Sequence, residues 1–404
     1  MDIAVSPITA KASPSMLAAA LLCFAAGSLY AWSSMIPALL ARYGVGVQQA
    51  GQVFSVAIVA FSLAVLIFPH LPIALKSSHG AAGAGLLASI SLAAATMAPN
   101  FGIFLICYSL GFGAMSGIIY IQTVELAAKS AAPAILTPMM VAAFGLGGVV
   151  FGPAIRALVA LDWQLMALLP VALTLLAATG LVLAFPSRLT TTSTPDQTAP
   201  DITTAAPVRF SQVAFLWTIF AFGSGAGLMI LGLASAIIED RGATATFSAT
   251  VLAAVALANT GGRLSVSALG RWLSPILIAS LSPALAGIGL LTMIISPKLY
   301  VGGIGLTLVA LSYGLMASAV PVLTRAITST LTFGHTFSLV FTAWGVAGLV
   351  SPWLAGASFD LTGSFTGALY FGLASTVIAL TAIALYARST SPFASGRATS
   401  RHGD

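Results

Sequence analysis

The sequence predicts an all-α polytopic membrane protein whose twelve transmembrane helices form two pseudo-symmetric six-helix bundles. Three observations lead to this fold class. Of the 404 residues, 59% are hydrophobic and only 6% are charged, whereas a soluble domain carries about a quarter charged residues. Twelve apolar segments are each long enough to cross a bilayer. One polar stretch divides these segments into six and six.

The twelve apolar segments are the predicted helices. A membrane-spanning helix needs about 20 mainly apolar residues, and lipid requires every backbone polar group to be satisfied within the segment. A transmembrane β-barrel would instead show alternation in stretches of about ten residues, which this sequence lacks. The first segment is too long for the core of a signal peptide, so we predict that it stays in the protein. The predicted bounds are 16–40, 48–72, 80–98, 101–124, 134–158, 163–185, 210–238, 246–268, 273–295, 299–323, 333–358 and 364–386.

The polar stretch Pro186–Arg209 reads PSRLTTTSTPDQTAPDITTAAPVR and has no apolar period. Its Thr, Pro and Ala content is typical of a disordered linker. We therefore predict three parts: an N-terminal six-helix bundle at 1–185, the linker at 186–209, and a C-terminal six-helix bundle with a short tail at 210–404.

The two halves resemble each other in their fifth helices. FGLGGVVFGP begins at Phe144, and WGVAGLVSP begins at Trp344 in the eleventh predicted helix. Both have an aromatic residue, two glycines three residues apart, a valine and a proline. Glycine-rich helices also match by chance, but these two occupy equivalent places in a six-plus-six duplication, a known plan of transporters.

Lysine and arginine positions predict that both termini and the linker are cytoplasmic. Ten basic residues then lie inside and four outside, which agrees with the positive-inside rule. The inner group is Lys11, Lys76, Lys129, Arg188, Arg209, Arg271, Arg325, Arg388, Arg397 and Arg401, and the outer group is Arg42, Arg156, Arg241 and Lys298. We expect the protein in the cytoplasmic (inner) membrane of a bacterium.

Other classes of protein fit the sequence poorly. The net charge of +6 follows from the basic cytoplasmic loops, so we predict no binding of nucleic acid. Cys23 and Cys107 lie in apolar segments and form no recognisable metal or disulfide pattern. No nucleotide-binding loop or catalytic set is visible, so we expect that the protein is not an enzyme and uses no cofactor. We also expect a monomer.

Arg263 is the one charged residue that falls inside a predicted helix and away from its ends. It lies about 10 Å from the midpoint of the eighth helix toward the cytoplasm, so its side chain could snorkel to the inner interface. Asn259 and Ser267 lie four residues to either side, and this polar stripe favours a water-filled cavity. Gly261 and Gly262 would permit close helix packing.

No acidic residue is predicted near the middle of the membrane to balance Arg263. The acidic residues in or beside the predicted helices are all at helix ends: Glu125, Asp162, Glu239, Asp240 and Asp360. A buried cation is costly without a partner, and a guanidinium matches a carboxylate in two-point hydrogen bonding. We therefore predict that Arg263 binds a small carboxylate substrate.

Four motifs resemble those of the major facilitator superfamily, and within it the oxalate/formate antiporter family, which is related to the monocarboxylate transporters. They fall in the predicted helices 1, 7, 8 and 11, so the resemblance covers the whole chain. The motifs are GSLYAWSSM (Gly27–Met35), AGLMILGLAS (Ala226–Ser235), NTGGR (Asn259–Arg263) and TAWGVAGLVSP (Thr342–Pro352).

The resemblance implies roles for particular residues. It places the family's anion-binding arginine on Arg263 and a cavity-lining tyrosine on Tyr120. Trp344 stands where the oxalate-transporting members have a lysine, so one cation is left, and we predict a monocarboxylate substrate. For each of the aromatic residues, packing or contact with lipid is an alternative role. The full predicted binding set is Tyr30, Tyr120, Asn259, Arg263, Tyr313, Phe341 and Trp344.

The chain departs from the superfamily in its loops. The loop after the second helix reads PHLPIALKSSHG and lacks the usual Asp–Arg signature, and the turn after the fourth reads KSAAPAILTP. We therefore expect the charged latch at the cytoplasmic helix ends to be absent. The segment Gly148–Pro153 matches the GxxxGP pattern of the superfamily's exchangers, and its alternative role is that of a packing and kink motif in helix 5, which crosses close to helix 8 in this fold.

These features together predict a secondary transporter of a small organic anion that works by alternating access. The absence of a mid-membrane carboxylate favours exchange or facilitated diffusion over proton coupling. An exporter of larger amphipathic molecules is an alternative, and so is a sensor or assembly protein that keeps the fold without transporting.

Overall fold

The computed structural model describes residues 13–186 and 208–390. The part of the chain that it describes contains twelve helices that are long and apolar enough to span a membrane, as the sequence predicts. We number them α1 to α12. The predicted linker and C-terminal tail lie almost entirely outside the described residues.

Polar residues begin many of the helices. The side chains of Ser13, Ser77, Asn100, Thr244 and Ser274 accept hydrogen bonds from backbone N–H groups in the first turns of α1, α3, α4, α8 and α9, which is the usual capping interaction. The bounds are α1 Pro14–Ala26 with its continuations Gly27–Met35 and Ile36–Tyr43, α2 Val47–Ile67, α3 Ser78–Thr96, α4 Phe101–Ala128, α5 Pro133–Ala160, α6 Gln164–Ala184, α7 Phe210–Asp240, α8 Ala245–Leu269, α9 Pro275–Ile295, α10 Leu299–Ala326, α11 Phe333–Thr362 and α12 Thr366–Thr390.

Two helices are irregular in their interior in ways that the sequence pattern does not predict. The middle of α1 is a 3₁₀ segment, Gly27–Met35, which carries one of the quoted motifs. In α4, Ile106–Phe112 is π-helical. Such segments occur often at functional sites, and the first of them contains the predicted binding residue Tyr30.

Helices α1–α6 and α7–α12 form two bundles, and glycines set the closest contacts inside each. A Cβ on Gly117 of α4 would meet the backbone of Phe61 in α2, with Cα at 3.0 Å. In the second bundle, a Cβ on Gly314 of α10 would collide with the backbone of Asn259 in α8. The two helix pairs are equivalent in the duplication, and each brings a cavity-lining residue to the interface between the bundles.

We call the face at which α6 ends and α7 begins the linker face. Four hydrogen bonds join the two bundles within the described residues, and all lie at mid-depth or toward the linker face. Three of these bonds are made by Arg263, Ser267 and Arg325 of the second bundle to carbonyl oxygens of the first, and Tyr30 and Tyr313 share the fourth. The bundles are therefore in contact at the linker face in this structure.

Arg325 is central to that contact. Its Nε donates to the Ala128 carbonyl at 3.1 Å, and its Nη1 donates to the Thr328 carbonyl at 2.6 Å. Ala128 is the last residue of α4, where a helix leaves carbonyl groups unpaired and carries partial negative charge. The linker face is thus closed by a cation on a helix end, without an acidic–basic pair between the bundles among the described residues.

Candidate functional site: a closed aromatic cavity around Arg263

A small cavity lies between the two bundles at mid-depth. About 10 Å³ of it is open to the centre of a water molecule, which is room for about one water. The cavity is therefore closed around its lining in this structure. That lining consists of Tyr30, Phe61, Tyr120, Phe144, Phe220, Arg263, Tyr313, Ala317, Phe341 and Trp344.

Arg263 of α8 supplies the only charge in this lining. It is 1% exposed, so its side chain does not snorkel to an interface, and that alternative is wrong. Its Nε donates to Asn259 Oδ1 at 3.3 Å and its Nη1 to the Val141 carbonyl of α5 at 3.1 Å. Nη2 is buried and has no hydrogen-bond partner. A guanidinium has five N–H donors, so this cation keeps donors available for a ligand.

Glycine makes room for the guanidinium. A Cβ on Gly145 of α5 would lie 2.9 Å from both Cδ and Nε of Arg263, closer than side chains tolerate. Gly145 is the second residue of the repeated motif in α5. The glycines that follow it in α5 serve another contact, because a Cβ on Gly148 would lie 2.6 Å from Cβ of Tyr30 in α1. This contact agrees with packing as the alternative role of the segment Gly148–Pro153, with α1 as the partner of Gly148.

Two tyrosines complete the surroundings of the cation. The Arg263 Cζ lies 5.6 Å from the centre of the Tyr30 ring and 5.4 Å from that of Tyr313, within the range of cation–π attraction. The two hydroxyl oxygens are 3.3 Å apart. Trp344 Nε1 donates to the Tyr313 hydroxyl at 2.7 Å. Residues of α1, α10 and α11 are thereby joined in one chain of hydrogen bonds beside Arg263.

Phe61 of α2 is the centre of the aromatic wall. Its ring lies 5.4 to 5.7 Å from the rings of Tyr120, Phe144, Phe341 and Trp344. Aromatic pairs at this separation are stabilising, and the contacts with Phe341 and Trp344 cross between the bundles. The wall therefore belongs to both halves of the protein.

The structure brings six of the seven predicted binding residues together. Tyr30, Tyr120, Arg263, Tyr313, Phe341 and Trp344 all line the cavity. Asn259 does not line it and instead accepts a hydrogen bond from Arg263. Phe61, Phe144, Phe220 and Ala317 line the cavity as well and were not predicted.

The residues of the predicted polar stripe on α8 are in contact with other groups of the protein. Ser267 Oγ donates to the Ile135 carbonyl of α5 at 3.0 Å, and Asn259 is 6% exposed. Ser267 therefore contacts α5, Asn259 contacts Arg263, and of the three residues only Arg263 lines the cavity. Spacing by four residues places side chains on one face of a helix, but it does not identify what that face contacts.

No carboxylate balances Arg263 in the described lining. Glu125 lies near the end of α4 and pairs with Lys129 at 2.6 Å. The described residues also contain no group of three or more His, Cys, Asp or Glu side chains that could hold a metal ion. The polar groups of the described lining are therefore one guanidinium, the tyrosine hydroxyls and one indole N–H.

Two comparisons on sequence give no match: neither a model of a known protein family nor a curated protein matches the chain. Solved structures do match. The human organic anion transporter MFSD10 (TETRAN) has a TM-score of 0.72 at 14% sequence identity, over 92% of this chain and 99% of that one. FucP, a major facilitator superfamily transporter in the outward conformation, has a TM-score of 0.69 at 15% identity, over 92% of this chain and 98% of that one.

These similarities extend over nearly the whole length of each protein, at identities that establish the fold alone. They agree with the twelve helices and two bundles described above. The chain is an integral, multi-pass membrane protein with the fold of the major facilitator superfamily transporters.

Proposed function

We propose that this protein transports a small organic anion across the membrane, that the anion is a monocarboxylate, and that Arg263 binds its carboxylate. The observation that carries the proposal is a fully buried cation whose Nη2 has no partner, in a cavity whose described lining contains no acidic side chain. An anionic ligand would supply the missing charge.

The number of cations in the cavity lining favours a substrate with one carboxylate. Arg263 is the only cation of the lining, and Trp344 and Phe341 form the apolar wall on α11. A second carboxylate in this cavity would lack a cation, and a buried unpaired charge costs several kcal/mol.

Alternating access fits the arrangement of the two bundles. The cavity lies between them, and the contacts of Arg263 with Val141 and with the Tyr30 ring cross from one bundle to the other. Separation of the bundles at either face would expose the cavity to one side of the membrane. In this proposal the linker face is cytoplasmic, as the distribution of Lys and Arg suggests.

The fold agrees with transport but does not select the substrate. MFSD10 is described as an organic anion transporter, and at 14% identity this description lends the substrate class little support. The case for an anion rests on Arg263 itself. A closer relation to the oxalate/formate antiporter family is part of this proposal and rests on the four sequence motifs.

The test is a binding panel on purified protein followed by uptake into proteoliposomes. Mono- and dicarboxylic acids are compared by their effect on the unfolding temperature. Arg263→Gln should weaken binding of the preferred acid by at least about 30-fold, since loss of one partner of a buried charged hydrogen bond costs about 2 kcal/mol or more. Arg263→Lys should restore it only partly, because an ammonium lacks the planar fork.

Arg271→Gln is the matched control, because Arg271 is exposed just beyond the end of the same helix. It should bind and transport like the parent. Unchanged acid binding by a folded Arg263→Gln protein would contradict the proposed site. Binding without uptake in the parent would instead support a sensor that keeps the transporter fold.

A further inference from the structure

Two histidines meet across the bundles at the linker face. His70 ends the short 3₁₀ segment after α2, and His335 lies in the first turn of α11. Their ring centres are 5.2 Å apart, with an angle of 87° between the ring planes. Both residues are exposed, so solutes on that side of the membrane reach them.

This separation suits two imidazoles that share one metal ion. A Zn²⁺–N bond is about 2.0 to 2.1 Å long, which places each ring centre about 3.2 Å from the metal. At a tetrahedral angle, two such rings have centres about 5 Å apart. The observed distance therefore needs only rotation of the exposed side chains, without movement of the helices.

Charged groups of both signs lie near the pair. Glu125 of α4 approaches the neighbour of His335, because a Cβ on Gly334 would lie 2.9 Å from its Oε1. This carboxylate pairs with Lys129. On the other side, the Nζ of Lys76 is held by the Pro69 carbonyl at 2.5 Å.

We propose that His70 and His335 bind one transition-metal ion of the Zn²⁺ or Ni²⁺ type between the two bundles. Imidazole nitrogen suits these ions, whereas Mg²⁺ and Ca²⁺ prefer oxygen ligands. Because the described residues contain no cluster of three or more ligating side chains, water fills the remaining positions. An ion held there ties the bundles together at the linker face, whatever the transported substrate is.

Isothermal titration of the purified, tag-free protein with ZnCl₂ tests the site. One high-affinity ion per chain is expected, with no binding of Mg²⁺. The two imidazoles act as linked ligands, so either His70→Gln or His335→Gln should weaken Zn²⁺ binding by roughly 100-fold. The loss in the double variant should be smaller than the sum of the two single losses, because each substitution already breaks the same chelate.

His79→Gln is the matched control, since His79 is an exposed histidine at the start of α3 that is not part of the pair. It should bind Zn²⁺ like the parent and gain the same rise in unfolding temperature on Zn²⁺ addition, while both single variants lose that rise. Parent-like Zn²⁺ affinity in folded His70→Gln or His335→Gln protein would overturn the proposal. So would independent, additive losses in the double variant, which indicate two separate sites.

Discussion

The substitution Trp344→Lys would add a second cation to the cavity beside Arg263. The Nε1 of Trp344 lies 2.7 Å from the Tyr313 hydroxyl, and the centre of the Tyr313 ring lies 5.4 Å from the Arg263 guanidinium carbon. In Trp344→Lys, an ammonium near the present Nε1 position would lie on the order of 8 Å from the guanidinium, since both groups are close to Tyr313. At an effective dielectric constant of about 20, that separation corresponds to roughly 2 kcal/mol of repulsion.

This repulsion gives the expected change in selectivity. The empty variant should unfold at a lower temperature than the parent, because it holds two like charges in one closed cavity. A dicarboxylate such as oxalate offers each cation an anionic partner and relieves the repulsion. The ratio of dicarboxylate to monocarboxylate affinity should then rise by about 30-fold, the equivalent of roughly 2 kcal/mol.

Trp344→Phe separates charge from packing in this experiment. It keeps an aromatic ring against Phe61 and Phe341 but adds no cation, so the preference for monocarboxylates should remain. Both variants are measured by thermal stabilisation with the same series of acids. If folded Trp344→Lys protein keeps the parent's ranking of mono- over dicarboxylates, the argument from the number of cations is wrong.

Two further predictions concern the helix packing and the topology. A Cβ on Gly262 would collide with the Leu311 carbonyl of α10, whereas one on Gly261 meets nothing within 4 Å. Gly262→Ala should therefore destabilise the protein by about 1 to 3 kcal/mol. Gly261→Ala, the neighbouring control, should be neutral or slightly stabilising. If the two variants lowered the unfolding temperature in detergent equally, this packing would be wrong. The segment Pro186–Arg209 should be cut by protease only from the cytoplasmic side, and cleavage in sealed right-side-out vesicles would reverse the predicted topology.

The sequence was most informative where lipid imposes a simple rule. Long apolar segments must become helices in a bilayer, so all twelve could be predicted within a few residues. The irregular segments Gly27–Met35 and Ile106–Phe112 could not, because they contain no proline and their geometry depends on neighbouring helices. Arg263 could be identified because it is the one charged residue that falls inside a predicted helix and away from its ends. Phe61, Phe144 and Phe220 could not be identified as cavity-lining residues. The chain has 22 phenylalanines, and only tertiary packing decides which of them face the cavity.

The contacts of Arg263 also explain how the protein can fold without its ligand. An arginine at the centre of a membrane helix costs about 2.5 to 3.5 kcal/mol on insertion scales. Its bonds to Asn259 and Val141 and its two tyrosine rings offset a cost of that size, since a hydrogen bond to a charged group contributes about 1.5 to 3 kcal/mol. Glutamine is neutral and costs less to bury than a cation, so Arg263→Gln should also insert and fold, which makes its binding measurement interpretable.

In the proposed transport cycle, the same contacts would connect ligand binding to the movement of the bundles. Asn259 and Tyr313 belong to the bundle of Arg263 itself and can stay with it, whereas Val141 and Tyr30 belong to the other bundle. Separation of the bundles would remove the second pair of contacts and leave the cation less well compensated. A bound carboxylate would replace the lost partners and move with α8. In the proposed transport cycle, the anion thus stabilises the states in which the bundles are apart, because it takes over the contacts that Arg263 makes across the interface in this structure.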